Sequence, residues 1–372
     1  MRRIGCLLIF VVVASLAVWP QALPQTQTQR APKIITIEPP FPGTWVSAAY
    51  GINDVGAITG VFIDADSNVN HGFLRTPAGK YIRFDAPGGG TGDWQGTQPA
   101  SINLFGAITG AVFDDNYVEH AFLRTPTGKY VVFDAPGAGD NSTGWHTHAS
   151  AINLSGTIAG WLLDEGMNQH AFLRAPDGTF ITYEGPDAGT GPWLGSQAVG
   201  INDWGLVSGN SAVNESLIYG TLRKPDGNFI TFNCSDPTLI GANGIAVNWF
   251  GYTVGYCHDV TYTVLHAILV KPGGEVVMVE PPSTPTETVV GSQGWSINMS
   301  GTVTGFYWDA NKVTHGFVRT PDGKFTRFDA PGAGTASDQG TWPQAINYWG
   351  QVVGYYMDAN GVYHGFLRMG DK

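Results

Sequence analysis

Residues 101–137 read SINLFGAITGAVFDDNYVEHAFLRTPTGKYVVFDAPG, and this pattern decides the fold because it recurs along nearly the whole chain. An Ile/Val-Asn pair is followed by glycine three residues after the asparagine and by a second glycine four residues later. The asparagine returns seven times at spacings of 46 to 50 residues, at Asn53, Asn103, Asn153, Asn202, Asn248, Asn298 and Asn347. A period of this length indicates a repeat architecture in which neighbouring units bury their apolar faces against each other.

Each unit contains four short apolar runs separated by turn signals. In the first unit, a run of small residues ends at Asn53, and an Asn-x-x-Gly turn leads into a second run from Ala57 to Ile63. A polar loop precedes the third run, HGFLR at 71–75, and a proline-led turn precedes the fourth, KYIRFD at 80–85. Four antiparallel strands repeated seven times predict an all-β fold, a seven-bladed β-propeller.

The two ends of the repeat region complement each other. The last unit stops at HGFLR (364–368) without a fourth run, whereas KIITIEPP (33–40) near the N-terminus aligns with KYIRFDAP (80–87). We therefore expect an N-terminal strand to complete the last blade and close the ring, which would leave no unpaired sheet edge. A linear stack of β-hairpin units is the alternative.

The composition supports strands over helices and narrows the range of partners. The 372 residues include 51 glycines and 23 prolines, which are unfavourable inside helices. Hydrophobic residues make up 43 %, which is too many for a disordered chain. The net charge of −11 argues against nucleic acid and against anionic membranes as partners.

The N-terminus predicts export. Met-Arg-Arg is followed by an apolar run over residues 6–18, too short to span a membrane, and then by small residues. We predict a signal peptide over residues 1–22, cleaved after Ala17 or Ala22, a polar linker over 23–32 and one propeller domain over 33–372. Only Cys234 and Cys257 remain after cleavage, so a disulfide between them is expected in an oxidising compartment.

The tripeptides His-Ala-Phe at 120–122 and 170–172, and His-Gly-Phe at 71, 315 and 364, recur at a fixed offset from the Asn-x-x-Gly turn. They resemble the bacterial extracellular repeat family that is named for its His-Ala-Phe signature. The resemblance covers nearly all of the mature chain and implies export and a repetitive β architecture, without implying a biochemical activity. We expect a secreted or periplasmic protein.

Six of the seven repeats carry a histidine that follows an aspartate by six or seven residues. The repeated placement predicts structural pairs rather than one active site: Asp64 with His71, Asp114 with His120, Asp164 with His170, Asp259 with His266, Asp309 with His315, and Asp358 with His364. The arginines that end the third runs, such as Arg124, are predicted to pair with the acidic residues that end the fourth runs, such as Asp134.

The long connectors between repeats carry the candidate ligand-binding residues. Tryptophans amid glycine, threonine, glutamine and aspartate are typical of a sugar-binding surface, because a pyranose offers an apolar face and a hydroxyl rim. The candidates are Trp45, Trp94, Trp145, Trp193, Asp93, Asp140, His146 and His148. Alternatively, these tryptophans fill the space between neighbouring blades. His146 and His148 lack a firm third ligand, so no metal site is predicted.

The sequence therefore predicts an exported, non-catalytic binding module that is monomeric, needs no cofactor and has a carbohydrate or another exported protein as candidate partner. An enzyme acting on a polysaccharide or a small exported substrate, a hydrolase or a lyase, is the alternative. A purely structural envelope protein is the third reading. An asymmetric carboxylate or histidine cluster near the axis would favour the enzyme, whereas equivalent pockets around the ring would favour a multivalent binder.

Overall fold

The chain folds into strands and turns, which confirms the all-β prediction. The computed structural model describes residues 32–139, 144, 146–234, 236, 238–261 and 263–370, and within these ranges it contains 28 strands and no helix. No helix in those ranges could therefore span a membrane. The predicted signal peptide, with both cleavage sites, lies outside the described residues, as do linker residues 23–31, Asp140 and Trp145.

The strands are numbered in chain order. The N-terminal ones are β1 (Ile34–Ile37), β2 (Thr44–Ile52), β3 (Ile58–Asp64), β4 (Asn70–Arg75), β5 (Tyr81–Phe84), β6 (Gly96–Ile102), β7 (Ile108–Phe113), β8 (Glu119–Arg124) and β9 (Tyr130–Phe133). The central ones are β10 (Thr147–Ile152), β11 (Ile158–Leu163), β12 (Gln169–Arg174), β13 (Phe180–Tyr183), β14 (Gly195–Ile201), β15 (Val207–Asn214), β16 (Leu217–Arg223), β17 (Phe229–Phe232), β18 (Leu239–Val247), β19 (Thr253–Asp259), β20 (Leu265–Val270) and β21 (Val276–Met278). The C-terminal ones are β22 (Val289–Ile297), β23 (Val303–Asp309), β24 (Thr314–Arg319), β25 (Phe325–Phe328), β26 (Gly340–Ile346), β27 (Val352–Met357) and β28 (Tyr363–Arg368).

Within a repeat, consecutive strands pair antiparallel in chain order, as β2, β3, β4 and β5 do. We call the leading strand of each repeat its first strand; these are β2, β6, β10, β14, β18, β22 and β26. Each first strand contacts the first strand of the next repeat, and β26 contacts β2. The first strands thus lie side by side at the centre of the structure.

The recurring asparagine and glycine build the turn between the first and second strands. The backbone N–H of Asn53 donates to the Ala57 carbonyl, and the Asn53 carbonyl accepts from the Gly56 N–H. The side-chain oxygen of Asn53 also accepts a hydrogen bond of 2.9 Å from the Ala57 amide. Gly56 has a φ of +83°, a conformation that residues with a Cβ rarely adopt. The motif recurs because the turn needs an amide acceptor at its start and glycine at its end.

The strand register separates two ends of the molecule. Ile58 pairs with Arg75, which pairs with Tyr81, so the asparagine turn and the proline-led turn at 76–80 lie at the same end. We call this end, with the equivalent turns of the other repeats, the Asn-turn end. The opposite end, the connector end, holds the loops between second and third strands and the connectors between repeats.

The side-chain amides of the recurring asparagines form a continuous series of hydrogen bonds. Each amide donates to the backbone carbonyl of the asparagine in the next repeat, at 2.9 to 3.2 Å. Asn347 donates to the carbonyl of Asn53, so the series returns to its start. All seven side chains are buried. The asparagine therefore joins repeats as well as shaping its own turn.

The N-terminal strand pairs with the C-terminal one. Ile34–Ile37 lies antiparallel to β28, and Ile37 packs in a buried cluster with Phe62, Val353 and Leu367. The hydrogen-bonded ladders form three separate sheets of 8, 12 and 8 strands, rather than one continuous sheet. Where neighbouring repeats share a sheet, the third strand of one meets the first strand of the next through a short parallel bridge, such as Asn70 with Gly96.

The predicted disulfide is present. Cys234 follows β17 and Cys257 lies in β19, with their Cα atoms 6.1 Å apart. The bond joins the end of the fourth strand of the fourth repeat to the second strand of the fifth, which is the pairing that the sequence predicts. Cys257 has no solvent exposure.

The arginines at the ends of the third strands differ from expectation. Arg124 stacks over the Phe84 ring at 5.0 Å and Arg174 over Phe133 at 4.7 Å, so each guanidinium packs on an aromatic ring of the preceding repeat. Cation–π contacts of this kind stabilise partly buried guanidinium groups. The acidic residues predicted as their partners contact histidines instead, as described below. The arginines at this position are Arg75, Arg124, Arg174, Arg223, Arg319 and Arg368.

Candidate functional site

Every first strand contains a β-bulge three residues before its asparagine. The pairing with the second strand skips one residue in each repeat. A bulge redirects the side chain of the extra residue. The seven skipped residues all line one cavity of about 680 Å³: Tyr50, Ala100, Ser150, Val199, Ile245, Trp295 and Gln344.

The second glycine of the motif makes this bulge possible. Gly160 lies on β11 against the carbonyl oxygen of His148, and a Cβ at this position would overlap that oxygen. The corresponding glycine of every repeat faces the carbonyl five residues before the asparagine. Glycine is required because the two backbones approach closely at the bulge.

The remaining cavity lining has two parts. The isoleucine or valine directly before each asparagine lines it towards the Asn-turn end, and amides and aromatic rings line it towards the connectors. Residues five before the asparagine contribute Gln98, His148, Gln197 and Asn243, and the second strands contribute Trp161, Asn210 and Tyr256. Asn210 donates to the Gln197 side chain at 3.3 Å, which orients both amides. The described lining contains no lysine or arginine, and Glu119 is its one carboxylate. Such a lining suits a neutral, hydroxyl-rich ligand, because amides donate and accept hydrogen bonds and rings cover apolar faces.

An asymmetric pair lies in this cavity. His148 Nδ1 is 2.7 Å from Glu119 Oε1, and the His148 ring stacks on Trp161 with centroids 5.2 Å apart. Glu119 is fully buried, and its second oxygen has no hydrogen-bond partner within the described residues. The other repeats carry no acidic residue at this position: Asn70, Gln169, Ile218, Leu265, Thr314 and Tyr363 occupy it.

The carboxylate of Glu119 fixes the chemistry of the imidazole. A neutral His148 that donates its Nδ1 proton to Glu119 keeps Nε2 as a hydrogen-bond acceptor. An oriented imidazole of this kind can accept a hydrogen bond from a ligand hydroxyl or act as a general base. His148 was among the residues predicted from the sequence. Glu119 was not, because its position in the second repeat gave no sign that it would reach the third.

Burial sets the protonation of other groups near the cavity. Burial, followed by the nearby Tyr363, raises the pKa of Tyr50 to about 12, so its hydroxyl stays neutral and can donate a hydrogen bond. Burial also raises the pKa of Tyr256. Burial lowers the pKa of His258, whose Nε2 accepts a bond from the Asn243 amide at 2.9 Å. These three side chains therefore stay neutral near pH 7 and offer hydrogen-bond donors and acceptors.

The predicted connector residues are exposed at the connector end. The exposed fractions of Trp45, Trp94 and Trp193 are 41 %, 57 % and 46 %, and Asp93 is exposed as well. Trp94 and Trp193 adopt φ values of +64° and +66°, in tight turns that direct the rings outward. Trp145 and Asp140 lie outside the described residues. None of the described tryptophans of this group lines the central cavity.

The two nearby histidines do not meet at one site. His148 lines the cavity, whereas the His146 ring lies against the His120 ring at 6.3 Å, and His146 is not part of the cavity lining. Within the described residues, no group of three or more histidine, cysteine or acidic side chains has a geometry that could hold a metal ion.

The repeated histidines contact carboxylates on both sides. Their Nδ1 atoms meet the acidic residue that follows the fourth strand, as in His120 with Asp134 at 2.8 Å and His315 with Asp329 at 3.0 Å. Their Nε2 atoms approach the predicted upstream aspartate in four repeats, closest in His170 with Asp164 at 3.2 Å. The other three distances are 3.8 Å for Asp114–His120, 3.9 Å for Asp309–His315 and 3.6 Å for Asp358–His364.

In the remaining two repeats, the upstream aspartate bonds within its own loop. Asp64 accepts from the backbone amide of Asp66, and Asp259 accepts from Thr261 and Thr263. Their histidines, His71 and His266, contact Asp85 and Glu280, which correspond to Asp134. The constant partner of the histidine is thus the acid that follows the paired fourth strand; for His364 this is Glu38, which follows β1. The acids downstream of the other five histidines were predicted to pair with arginine.

The tips of the asparagine turns expose large apolar side chains. The residue two after the asparagine is apolar in five repeats, with exposed fractions of 57 % for Val55, 67 % for Phe105, 62 % for Trp204, 62 % for Phe250 and 65 % for Trp349. Turn tips usually carry polar residues or glycine. This series was not predicted, because the sequence indicated the Asn-x-x-Gly segments only as tight turns between strands.

The fold is similar to solved structures of different activities. No family model and no curated protein sequence matches the chain. Puromycin hydrolase aligns with a TM-score of 0.52 and 11 % identity over 88 % of this chain and 55 % of its own. A prolyl endopeptidase aligns with a TM-score of 0.50 and 12 % identity over 87 % of this chain and 50 % of its own.

The BP39L lectin of Burkholderia pseudomallei aligns with a TM-score of 0.50 and 11 % identity, over 89 % of this chain and 99 % of the lectin. The chain spans about half the length of the two hydrolytic enzymes and almost the whole lectin. At these identities the similarity concerns the fold alone. The chain has a β-propeller-like, all-β fold.

Proposed function

We propose that the protein is an exported, non-catalytic binding module, a closed seven-bladed β-propeller that binds a carbohydrate in its central cavity. The closed ring is supported by the amide series that returns from Asn347 to Asn53 and by the pairing of β1 with β28. The buried disulfide supports an oxidising, secreted or periplasmic environment. We propose that the protein acts as a monomer and that its repeats are of the His-Ala-Phe type.

The lining of the central cavity carries the proposal. A volume of about 680 Å³ lies within the range of small-ligand sites. Amides such as Gln197 and Asn243 match sugar hydroxyls, and rings such as Trp295 and Tyr256 match the apolar face of a pyranose. The absence of basic residues from the described lining disfavours acidic sugars. The BP39L lectin, which has a similar fold, is in keeping with this ligand class.

The ligand would enter from the connector end. Gln98, His148 and Gln197 lie five residues before their asparagines, so they are nearer to the connectors than the bulge residues are. The exposed Trp94 and Trp193 belong to the same end. We propose that they contact the parts of a longer saccharide that extend beyond the cavity.

A glycan array with the purified mature protein tests the proposal. A bound glycan is then titrated calorimetrically into the wild type and into Trp295→Ala and Gln197→Ala, each of which we expect to weaken binding about tenfold, or about 1.4 kcal/mol. Trp204→Ala, at the Asn-turn end, is the matched control and should bind like the wild type. Failure to bind any glycan, or wild-type affinity in both cavity variants, would reject a carbohydrate site here.

The Glu119–His148 pair favours a second candidate, a hydrolase or lyase that acts on a bound saccharide. One carboxylate–imidazole pair in one repeat is the asymmetry that catalysis requires, with His148 Nε2 as the general base. An assay distinguishes the enzyme from the binding module: each glycan that binds is incubated with the protein, and new reducing ends or unsaturated products are measured. In an enzyme, His148→Gln abolishes turnover and retains binding; a binding module gives no product with either protein.

A further inference from the structure

Basic side chains are concentrated at the Asn-turn end. Of the fifteen lysines and arginines among the described residues, all but Arg83, Lys312 and Arg327 lie there. Besides the six arginines that end the third strands, the group consists of exposed lysines: Lys33, Lys80, Lys129, Lys224, Lys271 and Lys324.

The acidic residues are distributed in the opposite way. Six share the Asn-turn end, Asp54, Asp177, Asp203, Asp226, Glu275 and Asp322, so twelve basic groups leave a formal charge of +6 there. Three of the twelve, Arg124, Arg174 and Arg368, are buried, so the lysines and the other arginines carry the exposed positive charge. The rest of the described chain has 22 acidic and three basic side chains, a formal charge of −19. The net charge of the whole chain therefore averages over two ends of opposite sign.

The same end carries the exposed apolar turn tips. Four tips are each more than 60 % exposed: Phe105, Trp204, Phe250 and Trp349. The ring centroid of Trp204 lies 4.6 Å from that of Trp249 in the next repeat. Each turn has the same Asn-x-x-Gly length, so the tips stand at one level. The turn tips join the first and second strands, which are the inner strands of each repeat. The lysines lie at the turns between third and fourth strands, farther from the centre, so they surround the tips.

We propose that the Asn-turn end docks on the surface of an anionic lipid membrane. Lysines near a membrane surface are attracted by anionic headgroups, and tryptophan and other aromatic rings partition into the interface between headgroups and acyl chains. The apolar tips insert at this interface while the surrounding lysines contact headgroups. The acidic connector end, with the cavity, then faces away from the membrane. This inference is independent of the carbohydrate proposal.

Other occupants fit these features less well. A second copy docked face to face would bring two ends of formal charge +6 together, which is unfavourable. A soluble polyanion would be attracted by the lysines but would gain little from tips such as Phe105 and Phe250, which offer no hydrogen bonds. A lipid surface uses both the charge and the apolar tips.

Co-sedimentation of the full mature protein with unilamellar vesicles tests the proposal. Vesicles of phosphatidylcholine containing one third phosphatidylglycerol should bind the protein, and pure phosphatidylcholine should bind it far more weakly. Replacing Lys80, Lys129 and Lys324 by glutamine should weaken partitioning about fivefold per lysine. Trp204→Ser combined with Phe250→Ser should weaken it at least tenfold. Added salt should reduce binding of the wild type.

Matched controls lie at the other end of the molecule. Trp94→Ser combined with Trp193→Ser removes exposed tryptophans from the connector end and should leave vesicle binding unchanged. The substituted positions are exposed, and circular dichroism verifies folding before each assay. The proposal is overturned if the wild type does not prefer anionic vesicles, or if both pairs of variants weaken binding equally. Light scattering that shows a dimer lost in the Trp204 and Phe250 variant, without vesicle binding, would assign the surface to a second copy instead.

Discussion

The side-chain amide of Asn347 donates a hydrogen bond of 3.1 Å to the backbone carbonyl of Asn53, 294 residues away in the chain. Both side chains are buried, and Asn53 donates in turn to the carbonyl of Asn103. One residue type therefore performs two tasks in each repeat, since its oxygen completes a local turn and its nitrogen bonds the neighbouring repeat.

Asn347→Ala removes both the side-chain hydrogen bonds within the turn and the hydrogen bond between the last and first repeats. It removes one of the two donors to the Asn53 carbonyl, which keeps the Gly56 amide, and it leaves the backbone amides of Trp349 and Gln351 without their acceptor. We expect the free energy of unfolding to fall by about 1–3 kcal/mol, the range for buried polar groups that lose their partners. Urea denaturation measures this loss of stability. Asn116→Ala, at an exposed asparagine, is the control and should change stability little; equal losses would contradict the buried amide series.

Ile37→Ala tests the contribution of the N-terminal strand. Ile37 is fully buried against residues from both ends of the chain, so the substitution creates a cavity there. We expect a loss of about 2–5 kcal/mol, as for other buried large-to-alanine changes. Ile181, at 52 % exposure in the fourth strand of the third repeat, is the matched position. Ile181→Ala should cost no more than about 0.5 kcal/mol, and a similar cost at both positions would show that β1 is not packed as described.

Removing the disulfide should destabilise the protein. The bond closes a loop between residues 23 positions apart, for which chain entropy gives about 3 kcal/mol. We expect that loss for the Cys234→Ala, Cys257→Ala double variant in thermal or urea unfolding. Mass measurement of the wild type before and after reduction should show a gain of two hydrogens. Two free thiols in the unreduced protein would contradict the bond.

Stability should fall as the pH rises above neutrality, because of the repeated histidines. The hydrogen bond that His120 donates to Asp134 raises the pKa of His120, and the one that His315 donates to Asp329 raises the pKa of His315. A raised pKa means that the charged form is favoured in the folded state, so this stabilisation is complete below the unfolded pKa of about 6.5 and is lost as the pH rises through the folded pKa.

The melting temperature measured between mildly acidic and mildly alkaline pH provides the test. Asp329→Asn replaces the charged acceptor of His315 by a neutral amide and should flatten the dependence, whereas Asp93→Asn, which changes an exposed carboxylate of a connector, should leave it unchanged. A melting temperature that rises over the same interval would contradict the assignment.

The local order of the fold could be predicted from the sequence, because turns and strand alternation are local properties. The Asn-x-x-Gly turn, the four strands of each repeat and the alignment of residues 33–40 with 80–87 required only the repeat pattern. The pairing of Ile34–Ile37 with β28 agrees with that alignment. The partner of each histidine was harder to predict, although Asp85, Asp134 and their equivalents follow the histidine by 14 residues, since such partners are neighbours only across a strand pair.

The composition of the cavity could be predicted only in part. Alternation along β10 places His148 and Ser150 on one face, but it gives no sign that Glu119 of the preceding repeat reaches the same lining. The exposed Trp204 and Trp349 were missed for a different reason: their spacing follows the repeat, but turn residues are ordinarily read as solvent-facing and without function.

The bulge in each first strand has a consequence for how such a protein could diversify. The skipped residue takes no part in the ladder between first and second strands, so its replacement leaves that ladder intact. The seven positions already hold side chains as different as alanine, glutamine and tryptophan. A library randomised at these positions alone would vary ligand preference on an unchanged scaffold, much as antibody loops vary on a constant framework.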